Sequence, residues 1–127
     1  MEDLRNNSIL ADVKDSLDYT PDEVDVEFDG NVIRKINTAI ARLSQLGLGE
    51  LGSFMINDGS ETWNDMLGED YQFVYAFAVE FVEVSVKLAF DPPQSGALKA
   101  ALDEEYKTAE FNVMTAIELH NIEKEAN

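Results

Sequence analysis

The sequence predicts an all-α fold, a small helical bundle of about four main helices with a long loop between the second and the third. Apolar residues recur every three or four positions in four segments, and clusters of glycine or proline separate those segments. The chain has 127 residues, of which 45% are hydrophobic. This size and composition suit a single domain over residues 1–127.

The first two helices are predicted over residues 8–17 and 29–46. Asn7 or Ser8 can cap the start of the first, because a side-chain oxygen there accepts a free N–H of the first turn. The apolar stripe of the second keeps its spacing to the end of the segment. Gly47 follows, where a left-handed C-cap is expected.

A glycine-rich loop is predicted over residues 47–60, with a short extended piece at residues 54–56. Thr62 with Asp65 three residues later predicts a capping box that opens a short helix. Gly68 is expected to end that helix.

The third and fourth helices are predicted over residues 70–90 and from about Ser95 to Glu123. The third is apolar most of the way round, so it should lie at the centre of the bundle. The fourth carries a narrow apolar stripe that begins at Leu98. Its polar end after His120 is expected to fray as a flexible tail.

Charge sets the strongest limit on function. The chain has 26 acidic and nine basic residues, a net charge of −17 that is spread along its length. Binding to DNA phosphates depends on lysine and arginine, so this balance argues against it. There is no cysteine, which excludes disulfides, thiolate zinc sites and cysteine nucleophiles. The most apolar stretch is interrupted by charges, and no membrane association is expected.

Three sequence features suggest a cofactor or metal site, but each lacks the neighbouring residues or elements that such a site requires. Residues 47–52 match the GxGxxG string, yet a helix rather than a strand precedes them. Residues 25–30 resemble half of a calcium loop, but Ile36 occupies the position of the bidentate glutamate. His120 is the only histidine and is expected at the surface. We therefore expect no catalytic residue, no cofactor, no metal site and no enzymatic activity.

Three segments in order resemble the head–tail connector proteins of tailed phages. They are residues 36–49, Ile56–Gly68 and Val86–Pro93, and the similarity covers roughly residues 8–115. The resemblance implies a structural protein of the virion neck, present in the host cytoplasm during assembly. It implies a dodecameric homo-oligomeric ring beneath the portal protein, a contact with a downstream neck or tail-completion protein, and DNA that passes through the ring without specific binding.

The ring hypothesis assigns roles to residues of the long connection and its surroundings. Acidic side chains in the lumen would repel DNA and let it slide. For Trp63, a subunit contact and packing inside the subunit are equally compatible with the sequence. The candidate interface residues are Phe54, Met55, Trp63, Tyr71 and Tyr75, and the candidate channel-facing acids are Glu50, Asp58 and Glu61.

Two other classes of function stay open. The charge of −17 also suits an acidic DNA mimic that inhibits a DNA-binding enzyme, provided that carboxylates are spaced like phosphates on one face. An enzyme would require an unexpected metal or cofactor in the purified protein.

Overall fold

The structure, a computed structural model, describes residues 4–17, 26–90 and 96–126. Within these residues the fold is all-α, as the sequence predicts, and no strand is present. The five α-helices are α1 (Ile9–Ser16), α2 (Val26–Leu46), α3 (Trp63–Leu67), α4 (Tyr75–Phe90) and α5 (Gly96–Ala126).

The largest difference from the predicted boundaries is at α4, which begins at Tyr75 instead of residue 70. A 3-10 turn over Gln72–Val74 comes before it. The side chain of Gln72 donates to the carbonyl of Gly68, and its oxygen accepts from Arg5 at 3.0 Å. These contacts hold the segment in a turn, although its apolar spacing is helical. The helix α2 also differs, because it begins three residues earlier than predicted, at Val26.

The long C-terminal helix also differs from the prediction. Its predicted first residue, Ser95, lies outside the described residues, and the helix continues to Ala126, past the predicted end at residue 123. Leu98, the first residue of the predicted stripe, is 63% exposed, so the stripe that packs on the core begins at Leu102.

The prediction that the third main helix is central is confirmed. This helix, α4, packs against α1, α2, α3 and α5. Ala78, Val82 and Val86 are completely buried along it. The ring of Phe81 packs against that of Tyr106 in α5, with 5.4 Å between the ring centres. A helix that is covered on several sides must be apolar on several sides.

The helix α2 ends in the C-cap that Gly47 predicts. The N–H of Leu48 donates to the carbonyl of Leu43 and that of Gly47 to the carbonyl of Ser44, each at 3.3 Å. This pair of bonds defines a Schellman motif. Gly47 has a φ of 136°, and a Cβ at this position would lie 3.2 Å from the side chain of Ile117. Glycine therefore relieves both backbone strain and a close contact with α5.

The connection after α2 is more ordered than a loop prediction implies. Residues 49–53 form a 3-10 turn that buries Leu51. The predicted extended piece at residues 54–56 forms no strand. Instead, the side-chain amide of Asn37 accepts the N–H of Ile56 at 2.8 Å and donates to its carbonyl at 3.1 Å. One side chain thus satisfies both backbone groups of the buried Ile56, as a neighbouring strand would.

We expect Asn37→Ala to lower the free energy of unfolding by about 1–3 kcal/mol, because it leaves two backbone groups at a buried residue without partners. The matched control is Thr38→Ala on the same helix. Its exposed hydroxyl donates to the carbonyl of Arg34 in the same helix, at 3.0 Å, and its loss should change stability by about 0.5 kcal/mol or less. Urea denaturation measures both, and equal losses would contradict the role of Asn37.

Candidate assembly interface

The loop before α3 is fastened to the start of α1. Ser8 and Thr62, the N-caps of α1 and α3, form an antiparallel bridge. The N–H of Ile9 donates to the carbonyl of Glu61 at 3.0 Å. Both bonds of the predicted capping box between Thr62 and Asp65 are present. Two helix N-termini therefore meet here, and their caps fix the loop between them.

Two of the candidate channel-facing acids stabilise a turn in this loop. The carboxylate of Glu61 accepts the N–H groups of Asn57 and Asp58 at 2.8 and 3.3 Å. The carboxylate of Asp58 accepts the hydroxyl and the N–H of Ser60 at 2.6 and 2.8 Å, and these bonds hold the pKa of Asp58 below its usual value. Asp58 is exposed and Glu61 is half-buried. The side chain of Glu50 lies outside the described residues.

Trp63 is completely buried. Its indole N–H donates to the carboxylate of Asp12 at 2.8 Å, which connects α3 to α1. Of the two roles that the sequence leaves open for this residue, the structure shows packing inside the subunit. An interface that this region forms would therefore use other side chains.

Two other candidate interface residues lie together. Phe54 and Tyr71, both half-buried, line one open groove between the 3-10 turn after α2 and the end of α3. Met55, next to Phe54 in the chain, is 61% exposed. The groove combines an apolar wall with a rim of carboxylates, from Asp65, Glu69 and Asp70.

An aromatic stack connects this region to α5. Tyr71 contacts Phe73 edge-to-face, with 6.3 Å between the ring centres. Phe73 in turn stacks on His120 at 3.8 Å, with the ring planes 5° apart. His120, expected at the surface, is therefore half-buried and holds α5 against the turn before α4. Tyr75, the remaining candidate, packs partly buried against the core.

A further exposed apolar surface lies on α5 and was not predicted. Five of the nine large hydrophobic residues that are exposed in the described residues belong to α5. At about 3.6 residues per turn, four of them lie on the side of α5 opposite the buried stripe. Their spacing of three to five residues is the sequence signal for a second stripe. We call this surface the outer face of α5, and it consists of Phe111, Met114, Leu119 and Ile122.

A second groove has three carboxylates and one lysine in its lining. It lies between the end of α1, the middle of α4 and α5, and we call it the acidic groove. Burial of Glu83, together with the negative charges of Asp12, Asp15 and Glu80, raises its pKa to about 7 from 4.5. The charged residues that line the groove are Glu80, Glu83, Lys87 and Glu105.

An all-α domain with an exposed apolar helix face and acid-lined grooves has the features of a protein that assembles with other proteins. A family model described as phage connector protein matches residues 9–120, and the chain belongs to this family. No significant match is found among curated proteins or solved structures. The family is structural, in agreement with the expectation that the protein is not an enzyme.

Two further observations concern residues 4–17, 26–90 and 96–126. No three side chains among them are grouped so that they could hold a metal ion. No helix there combines the length and apolar character that a membrane span requires.

We expect Trp63→Ala to lower the free energy of unfolding by about 3–5 kcal/mol, because it empties a fully buried site and removes a bond to Asp12. Met55→Ala should cost less than about 0.5 kcal/mol, because the side chain is exposed. Chemical denaturation, followed by circular dichroism, compares the two variants. If both lost the same small amount, the core role of Trp63 would be wrong.

The raised pKa of Glu83 gives stability a pH dependence. The folded protein disfavours the charged carboxylate, so this group destabilises the fold increasingly as pH rises from about 4.5 through about 7. Glu83→Gln should therefore raise the urea midpoint at pH 8 and leave it unchanged at pH 4. Glu118→Gln, which removes an exposed carboxylate from α5, should show no such contrast. A shift of equal size for Glu83→Gln at both pH values would contradict the prediction.

Proposed function

We propose that this protein forms a closed ring beneath the phage portal, extends the DNA channel and offers a surface to the next neck or tail-completion protein. The ring follows the dodecameric symmetry of the portal. It belongs to the neck of the virion and assembles in the host cytoplasm. Membership of the phage connector family supports a role between portal and tail.

The observation that carries the ring is the outer face of α5. Phe111 is 66% exposed, and Leu119 and Ile122 are each more than half exposed. Four exposed apolar side chains along three turns of helix are costly to leave in water, and in soluble proteins such surfaces mark contacts with partners. In a ring each subunit contacts its neighbour through two different surfaces, and repetition of that contact closes the circle. The outer face of α5 supplies one of these surfaces.

The groove beside the loop supplies further contacts. Phe54, Met55 and Tyr71 present apolar atoms next to carboxylates, as interface cores with polar rims do. Tyr75, the first residue of α4, follows shortly after Tyr71 in the chain. Trp63 contributes from inside the subunit, by holding α3 and the loop in place.

The charge of the chain suits the passage of DNA. A lumen that carries many lysines would hold the phosphate backbone, whereas carboxylates repel it and leave it free to slide. Asp58 and Glu61, on an exposed turn fixed to α1 and α3, are suited to line such a channel, together with Glu50. Family membership favours this use of the charge over the DNA mimic that charge alone leaves open.

We expect the double variant Phe111→Ser and Ile122→Ser to lose ring formation while keeping its helical content, because both side chains are exposed. Leu98→Ser is the matched control, since Leu98 is equally exposed on another side of α5. Mass photometry and negative-stain microscopy, each with and without the portal protein of the same phage, measure the outcome. Wild-type protein that stays monomeric under both conditions would refute the proposed function.

A further inference from the structure

The few basic residues of this acidic chain are unevenly distributed. Between Gly30 and Gly49 there are three bases and no acid, in a protein of net charge −17. At about 3.6 residues per turn, all three bases lie on one side of α2, and all are exposed. We call them the cationic face of α2; they are Arg34, Lys35 and Arg42.

Two of these three bases are available to a partner. Arg42 pairs with Glu110 of α5 at 3.4 Å. The guanidinium of Arg34 donates to the side-chain oxygen of Asn31 at 3.3 Å, and within the described residues neither Arg34 nor Lys35 forms an ion pair. Unpaired cations side by side on a strongly acidic protein indicate a surface that meets negative charge elsewhere.

The acidic groove is the matching surface on the same chain. Three carboxylates and one lysine line it, so its net charge is negative. The two surfaces lie on opposite sides of α4. Ala89 borders the cationic face and Glu80 borders the acidic groove; about two and a half turns of helix separate them. One subunit cannot bring the two together, but two neighbouring subunits can.

We propose that the cationic face of α2 in one subunit docks into the acidic groove of the next copy. This inference rests on the proposed ring. Subunits that each carry a charge of −17 repel one another, and a contact between opposite charges offsets part of that repulsion. The pairing also fixes which side of a subunit meets which side of its neighbour, because cation-to-cation and acid-to-acid contacts are repulsive.

The surroundings of Glu83 support this choice of groove. Asp12 and Asp15 face it from α1, Glu80 and Lys87 lie beside it on α4, and Glu105 lines the groove from α5. Burial of the Glu83 carboxylate raises its pKa, and the like charges around it add to the rise. With three carboxylates and only Lys87 to offset them, the groove keeps a net negative charge. A cation from a neighbour would balance it.

The test is a charge exchange between two full-length variants. The first carries Arg34→Glu and Lys35→Glu, and the second carries Glu80→Lys and Glu105→Lys. Each alone should need at least a tenfold higher concentration than wild type to form rings, because like charges then face each other. Mixed together they should form rings again, with the two variants alternating, since every contact in that ring pairs opposite charges. Native mass spectrometry measures both the size and the composition.

The control is Lys99→Glu with Lys124→Glu, which changes net charge as much as the first variant but at exposed positions of α5. It should assemble as wild type does, and circular dichroism checks that every variant is folded. Wild-type rings that persist unchanged with Arg34→Glu and Lys35→Glu would overturn this inference and leave the ring itself intact. Lost assembly without rescue by mixing would also overturn it, and would assign the cationic face to another partner. Failure of the wild type to form rings would overturn both proposals.

Discussion

Repulsion among carboxylates is the constraint on which most of this structure depends. The chain has nine basic residues and 26 acidic ones. The position of each cation therefore decides which carboxylates are neutralised. Lys14 is almost completely buried and pairs with Asp29 at 2.9 Å, which ties α1 to α2. Arg42 and Glu110 tie α2 to α5 in the same way, although more exposed. A buried pair is sensitive to the loss of either partner, because the other charge is then left in a poor solvent.

Local signals in the sequence were enough to predict the architecture. Gly47, the Thr62 capping box and the apolar spacing of the helices each act within a few residues, and each has the predicted structure. The contacts that no local pattern shows are those between distant residues. Asn37 pairs with the backbone of Ile56, and Phe73 stacks on His120. Such contacts cannot be predicted from a local pattern, because they depend on how the fold places distant segments side by side.

The candidate surfaces were predicted less completely, for the same reason. Phe54 and Tyr71 do share a groove, but Trp63 is a core residue, since its size and polar N–H suit a buried site as well as an interface. The outer face of α5 was not predicted, because the apolar stripe that packs on the core was enough to predict the helix. The remaining apolar residues of α5 were therefore not recognised as a second stripe. Net charge predicted the sign of the surface but not that Arg34, Lys35 and Arg42 share one exposed side of α2.

Family membership and the exposed surfaces together lead to one central claim, that copies of this chain close into a ring under the portal. An electron cryomicroscopy reconstruction of the protein bound to its portal tests it most directly. We expect a closed ring with the symmetry of the portal, in which the outer face of α5 is buried between copies and carboxylates face the channel. Separate subunits bound to the portal, or a channel lined by lysine and arginine, would contradict it.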